Sequence, residues 1–244
     1  MAELKRQTRK SSAPARERIL EASRMMFNAN GVERAAVMKI ATAIGMSPGN
    51  LTYHFNTKTD IVRELALRLE TGLHDNLFRM QAPFSARHVV ETLTELFKIL
   101  WYYRFLFNSG PFFHISDPES SNIYQKIHDD LRAIMDDYLT QVVESGYVGK
   151  PYGPHGVRLF SDNIISVWLQ WLLDQNMRTP LDDVPARSAI RDVIARHIAV
   201  MSPYLSQAYS DALRDDADRL LGPYEPRPLP APSVPMQWRQ EKNG

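Results

Sequence analysis

The residues best equipped for chemistry in this 244-residue chain lie between Gly45 and Lys58. Ser47-Pro48 reads as an N-cap followed by proline at the first helical position, so a short helix starts there and runs over 48–55. Along it Asn50, Thr52, Tyr53 and His54 carry groups that can hydrogen-bond base edges or phosphates, while Leu51 and Phe55 fall on the opposite, inward side. A serine-capped helix start also aims free N–H groups at an anion. Lys58 follows three residues after Phe55 and is placed to hold a backbone phosphate. With Lys39, Ser47, Pro48 and Gly49 these residues form the candidate DNA-contact set.

Other chemistries fit less well. Gly45-Met46-Ser47-Pro48-Gly49 matches G-x-S-x-G, but that nucleophile elbow needs a strand before its serine, and here a helix precedes it. The seven histidines include no i, i+4 pair, and the chain holds no glycine-rich phosphate loop, so neither a metal site nor any other cofactor is expected. Absence of cysteine excludes disulfides, zinc fingers and thiol catalysis. The chain reads as a binding protein and not as an enzyme.

The elements that must position this segment are helices. Apolar residues from Ile19 to Phe27 repeat at helical spacing after Pro14 and stop at Asn30-Gly31, and a second helix runs over 37–44, closed by Gly45. Two short helices joined by Gly45-Met46-Ser47 have the architecture of a helix-turn-helix, whose second helix enters the major groove; spacing alone equally allows an ordinary helical hairpin. Beyond Thr57 a long helix is expected over 58–81, then further helices over 86–107, 118–145, 157–176, 186–201 and 203–221. The fold class is all-α; on the helix-turn-helix reading it comprises an N-terminal three-helix DNA-binding domain with a helix-turn-helix, and a larger C-terminal helical domain.

Composition agrees with a binding protein. Hydrophobic residues make up 44% and charged residues 23%, enough for a packed core. The net charge of +1 hides an asymmetry: residues 1–68 hold 12 Lys/Arg against 6 Asp/Glu, and the remaining 176 hold 17 against 22. A basic end on a mildly acidic body suits a polyanion-binding module joined to something else. No apolar run reaches the ~18 residues of a membrane span and no secretory signal opens the chain, so a cytoplasmic location is expected.

The stretch from Arg16 to Leu65 resembles the DNA-binding domain of the TetR family of bacterial transcriptional regulators. The matching residues are Ile19, Ala22, Phe27 and Gly31, then Ile40-Ala41, Gly45-Met46-Ser47, Gly49, Leu51, His54-Phe55 and Lys58 before Ile61. The resemblance implies a recognition helix at 48–54, with Asn50 and Tyr53 reading bases and His54 and Lys58 on phosphates. Thr52 stands where the family usually has tyrosine, and Ala35-Ala36 lacks the usual Thr or Ser cap, at ~1 kcal/mol of helix stability. A basic arm carrying Lys5, Arg6, Arg9 and Lys10 can compensate by entering the minor groove.

The implied organisation is a disordered arm at 1–13, the DNA-binding domain at 14–57, an effector-binding and dimerisation domain at 58–221 with 58–81 connecting, and a Pro-rich tail at 222–244. A repressor role follows from the same resemblance: a homodimer on a palindromic double-stranded operator, released by a small, largely apolar effector. Pocket candidates are Trp101, Tyr102, Phe105, His114, Asn163 and Trp168, though aromatic density equally marks a core. For the dimer interface the surplus apolar width of 157–176 and 186–201 nominates Phe160, Ile164, Trp171, Ile190, Ile194 and Met201, the alternative being packing within one subunit. An alternative regulator has no small-molecule effector and is controlled by a protein partner docking on the helical domain; the tail with Trp238 favours that version.

Overall fold

A computed structural model describes residues 2–78, 84–108, 118–179 and 181–226, with side chains over 14–76 in the first segment and from 121 onward in the third. Among these residues there is no strand, only an isolated antiparallel bridge between Val148 and Leu205. Among the described residues ten α-helices follow in order: α1 (Ala2–Arg34), α2 (Val37–Ala43), α3 (Pro48–His54), α4 (Lys58–Phe78), α5 (Ala86–Tyr102), α6 (Phe105–Asn108), α7 (Pro118–Glu144), α8 (Gly156–Arg178), α9 (Arg187–Met201) and α10 (Gln207–Leu221).

Local chemistry places most boundaries where the sequence predicts them. Gly31 takes φ 78° and breaks α1 near its end, a conformation that a residue with Cβ rarely adopts. Ser47, Ser85 and Ser206 each cap a helix by accepting from the backbone N–H three residues on. Thr57 and Asp60 cap α4 reciprocally, each side chain accepting from the other's N–H at 3.1 and 2.9 Å. The N-cap of α2 is Ala36, which makes no side-chain cap bond.

Three expectations are corrected. The arm at 1–13 is not irregular: the backbone of 2–13 continues α1, and Pro14 lies inside that helix. Ala2, Glu3, Leu4, Lys5, Arg6 and Gln7 are good helix formers, and that propensity outweighs the lost Pro14 donor. The helix expected over 86–107 breaks at Tyr103-Arg104, where the buried Arg104 turns back to donate to Trp101 O at 3.1 Å. The segment from 203 splits into a 3₁₀ turn, Ser202–Tyr204, and α10, because Ser206 is the stronger cap. The Pro-rich tail beyond 226 lies outside the described residues.

Helix α5 lies centrally, touching α4, α9 and α10 with a wide apolar face; the expected all-round apolarity is interrupted by an outer stripe of Arg87, Glu91, Glu95 and Lys98. Phe97 meets Trp168 edge-on at 5.2 Å and Trp171 at 5.5 Å, and Trp171 donates to Ala189 O at 3.0 Å. His197 is fully buried against Trp168, and burial pushes its pKa down from 6.5 to about 4. A histidine that resists protonation when folded contributes stability present above its unfolded pKa and lost as pH falls. We therefore expect the protein to lose about 3 kcal/mol between pH 6.5 and 4 from this residue. Denaturant unfolding across that range checks it: His197→Leu should flatten the profile, and an unchanged profile would assign the acid sensitivity elsewhere.

Candidate nucleic-acid interface

Helix α3 packs on the N-terminal part of the protein's continuous core. Leu51 and Phe55 are buried with Ile19, Leu20, Phe27, Ile40 and Ala41, each worth roughly 1.5–3 kcal/mol for the larger side chains. Arg16 locks this packing: its guanidinium lies 4.2 Å over the Phe55 ring, donates to His54 O at 3.1 Å and pairs with Glu64. Arg18 donates to Ile44 O, at the end of α2. Sequence reading counts both arginines in the basic end; the structure spends them on helix C-termini inside the module.

With its inner face anchored, α3 turns the opposite side to solvent. Pro48, Gly49, Asn50, Thr52 and Tyr53 are exposed, Tyr53 to 80%, and His54 is half-buried with its ring edge against Tyr53 at 5.4 Å. Lys39 and Ser47 are exposed beside them. Ser47 Oγ accepts from Asn50 N at 3.2 Å, leaving the Asn50 side chain outside the cap, whereas Thr52 Oγ1 donates to Gly49 O at 3.0 Å. Tyr53 is the outlier: a large ring in full solvent gains only when something covers it. Lys5, Arg6, Arg9 and Lys10 lie along the helical backbone of α1, and their side chains are outside the described residues.

Lys58 departs from its expected place. Its ammonium donates to Val32 O at 2.7 Å, Glu33 O at 3.1 Å and Ala35 O at 3.5 Å, tying α4 to the end of α1. Burial holds its pKa below the usual lysine range. Three carbonyls left open by the break at Gly31 attract the nearest cation more strongly than solvent does. We expect Lys58→Ala to lower stability by about 1–3 kcal/mol while leaving the salt dependence of DNA binding unchanged. If unfolding is unaffected and the salt slope falls by about one unit, Lys58 returns to the phosphate contacts.

Among the described residues the nominated pocket side chains do not come together on one surface. Trp101, Phe105 and Trp168 are buried side chains of the main core, Asn163 faces solvent on α8, and His114 lies outside the described residues. Tyr102 instead donates to Glu21 at 2.5 Å beneath the Arg24 guanidinium, 3.5 Å from its ring centroid. The nominated dimer residues Phe160, Ile164, Trp171, Ile190, Ile194 and Met201 are all buried within this one chain. Their surplus apolar width is consumed by α5, α8, α9 and α10 packing on one another, which sequence periodicity cannot distinguish from a second subunit.

What joins module to body is a polar cluster that the sequence does not announce. Arg24 is fully buried, donates to both Glu21 oxygens, to Asp183 Oδ1 at 2.8 Å and to Tyr102 O at 3.2 Å. Asn28 donates to Tyr102 O at 2.9 Å and accepts from Phe105 N at 3.1 Å. The available signal is the spacing of Glu17, Glu21, Arg24 and Asn28, a polar stripe on a helix whose other side is apolar.

The geometry of a three-helix module with an exposed, polar third helix can be compared with known proteins. A family model described as "Bacterial transcriptional repressor" (TetR) matches residues 68–213, and one described as "Bacterial regulatory proteins, tetR family" matches residues 19–65. The chain belongs to the TetR family. It has an N-terminal helix-turn-helix domain followed by a larger helical domain. It is 32% identical over 82 residues to the regulator UidR of Escherichia coli K12, a match covering 34% of this chain and 40% of UidR. The chain therefore spans less than half the length of that curated relative. In fold it is similar to a TetR-family regulator from Marinobacter aquaeolei VT8, at a TM-score of 0.70 and 23% identity, covering 84% of this chain and 97% of that one. It is also similar in fold to SmeT, solved with triclosan, at a TM-score of 0.56 and 17% identity over 88% of this chain and 99% of that one. Among the described residues no helix is long and apolar enough to cross a membrane.

Proposed function

We propose that this TetR-family regulator is a repressor that binds a palindromic operator as a homodimer and is released by a small, largely apolar molecule. The observation carrying the DNA reading is α3 itself, clamped from behind by Leu51, Phe55 and Arg16 and presenting Asn50 and Tyr53 to solvent. A rigid helix with a polar outer face reads base edges, and one short helix reads only a few base pairs. Two copies are needed for a useful site.

Support for self-association has moved to the outer face of α8. Leu159, Asn163, Ser166, Gln170, Leu173 and Met177 follow alternating steps of four and three residues and are all exposed. Three of these are large apolar side chains, and such a stripe is suited to packing against its own symmetry mate. Support for a small-molecule effector comes from the family and from SmeT, whose solved complex holds triclosan.

The test is to sequence DNA fragments retained by the purified protein and measure binding to the enriched site. A palindrome with half-sites ~34–36 Å apart is expected. Asn50→Ala should weaken that site by about 1–3 kcal/mol and relax preference at one base pair per half-site. Retained fragments without a shared palindrome, or an Asn50→Ala protein with undiminished preference, would remove α3 from the role of reader.

A further inference from the structure

A groove of about 630 Å³ lies where the DNA-binding module meets the body, lined from α1, the end of α2, the α5–α6 corner and the loop before α9. We propose that its occupant is this chain's own C-terminal segment 228–238, docked with Trp238 against the apolar wall. Ala22, Met25, Met26, Ala29, Ile44 and Leu181 supply that wall, and two unbranched methionines let it adapt to shape. Met25 and Leu181 are 52% and 80% exposed and gain by being covered.

The charge of the occupant follows from how the polar lining is spent. Arg18 donates to Ile44 O; Glu21 accepts from Arg24 and Tyr102; Asp183 accepts from Arg24; Arg104 donates to Asn176 at 2.9 Å and Trp101 O at 3.1 Å. Each charged group of the lining already has a partner, so a charged occupant would lose hydration and gain no counter-charge. Segment 228–238 meets that demand, because no charged side chain falls between Arg227 and Arg239. Leu229, Val234, Met236 and Trp238 match the apolar wall, and a tryptophan alone buries ~150–250 Å². Pro228, Pro230, Pro232 and Pro235 bring no N–H donor that would need a partner once covered. Their fixed φ also lowers the ordering cost of docking.

Where the described chain ends favours this occupant over a separate molecule. Arg191 on α9 donates to Asp218 at 2.6 and 2.9 Å, and its guanidinium lies 5.4 Å from the Tyr224 ring centroid. The chain is thereby held against α9, the helix that follows the groove's 181–183 loop. Four extended residues and one helical turn put Arg191 at most ~20 Å from Asp183. Trp238 comes 14 residues after Tyr224. At ~3.1 Å per residue a proline-rich stretch of that length spans ~43 Å, so the groove is within reach. Tethering also gives the segment an effective concentration that a free competitor must exceed. An occupant touching both walls adds a contact between α1 and the 181–183 loop, which Arg24 and Asp183 already join.

The experiment labels the full chain with 5-fluorotryptophan and compares its fluorine NMR spectrum with that of a labelled synthetic peptide of residues 227–244. The chain has four tryptophans, of which Trp101, Trp168 and Trp171 are buried in the core; Trp238→Phe identifies the fourth resonance. That resonance is expected away from the peptide's position, with a smaller H₂O-to-D₂O shift, at every protein concentration. Ala29→Glu and Leu181→Glu each put an unpaired carboxylate into the wall at an exposed position. Each should return the Trp238 resonance to the peptide's position, while unmoved core resonances show that the variant is folded. Trp238 found at the peptide's position in the parent chain overturns the proposal and leaves the groove to a partner protein or small ligand. A displacement that survives both variants overturns it by placing the segment elsewhere. A displacement that grows with protein concentration overturns it by seating the segment on a second copy.

Discussion

Operator affinity should fall by about 10³–10⁵-fold when salt rises from 50 to 200 mM, the response of a dimer making ~6–10 phosphate contacts. The first 68 residues carry 12 basic against 6 acidic side chains. Part of that excess is not available to DNA: Arg16, Arg18, Arg24 and Lys58 are tied to carbonyls or carboxylates of the protein. The exposed Lys39 and the residues around α3 must then supply much of the phosphate contact, together with whatever Lys5, Arg6, Arg9 and Lys10 contribute. Binding isotherms at four salt concentrations measure the slope directly. Removing residues 1–13 should lower it by several units if the basic run touches phosphates, and a shallow slope in the full chain, or a monomer bound to one half-site, would contradict the dimeric reading.

The second large effect is structural. Replacing Arg24 by alanine should cost about 3 kcal/mol and lower the melting temperature by roughly 6–12 °C. Arg24 ties α1, the α5–α6 corner and the 181–183 loop together: it bridges Glu21, Tyr102 O and Asp183, with its guanidinium carbon 3.5 Å from the Tyr102 ring centroid. Burial pulls its pKa down, but the hydrogen bonds it donates to Glu21 and Asp183 more than offset that and raise it, so it stays charged throughout the accessible pH range. Its removal opens a buried void and strips Glu21 and Asp183 of their counter-charge. Both carboxylates keep about half of their surface in water, which limits the loss to less than a fully buried pair would show. Thermal melting checks the stability. Operator binding measured below the melting range checks the joint: a destabilised variant with unchanged operator affinity would mean that the cluster holds the body together without orienting α3.

These two predictions draw on different levels of the chain. Sequence alone determined what short-range rules can reach. Ser47, Ser85 and Thr57 begin helices because a side-chain oxygen meets an N–H three residues away. Asn50 and Tyr53 face out because Leu51 and Phe55, at i+1 and i+2 from them, face in. Tertiary structure alone decided everything that depends on which distant surface covers which face. Trp101 and Trp168 as core, Phe160 and Ile194 as intrachain packing, and Lys58 as a tie to α1 rest on contacts between separate helices, and an apolar or cationic residue type is equally consistent with each alternative. The cluster at Arg24 shows the reason most plainly. Its partner Asp183 is 159 residues away, a separation at which no periodicity, cap or motif carries information, and only the packing of α1 against the body brings the two charges together.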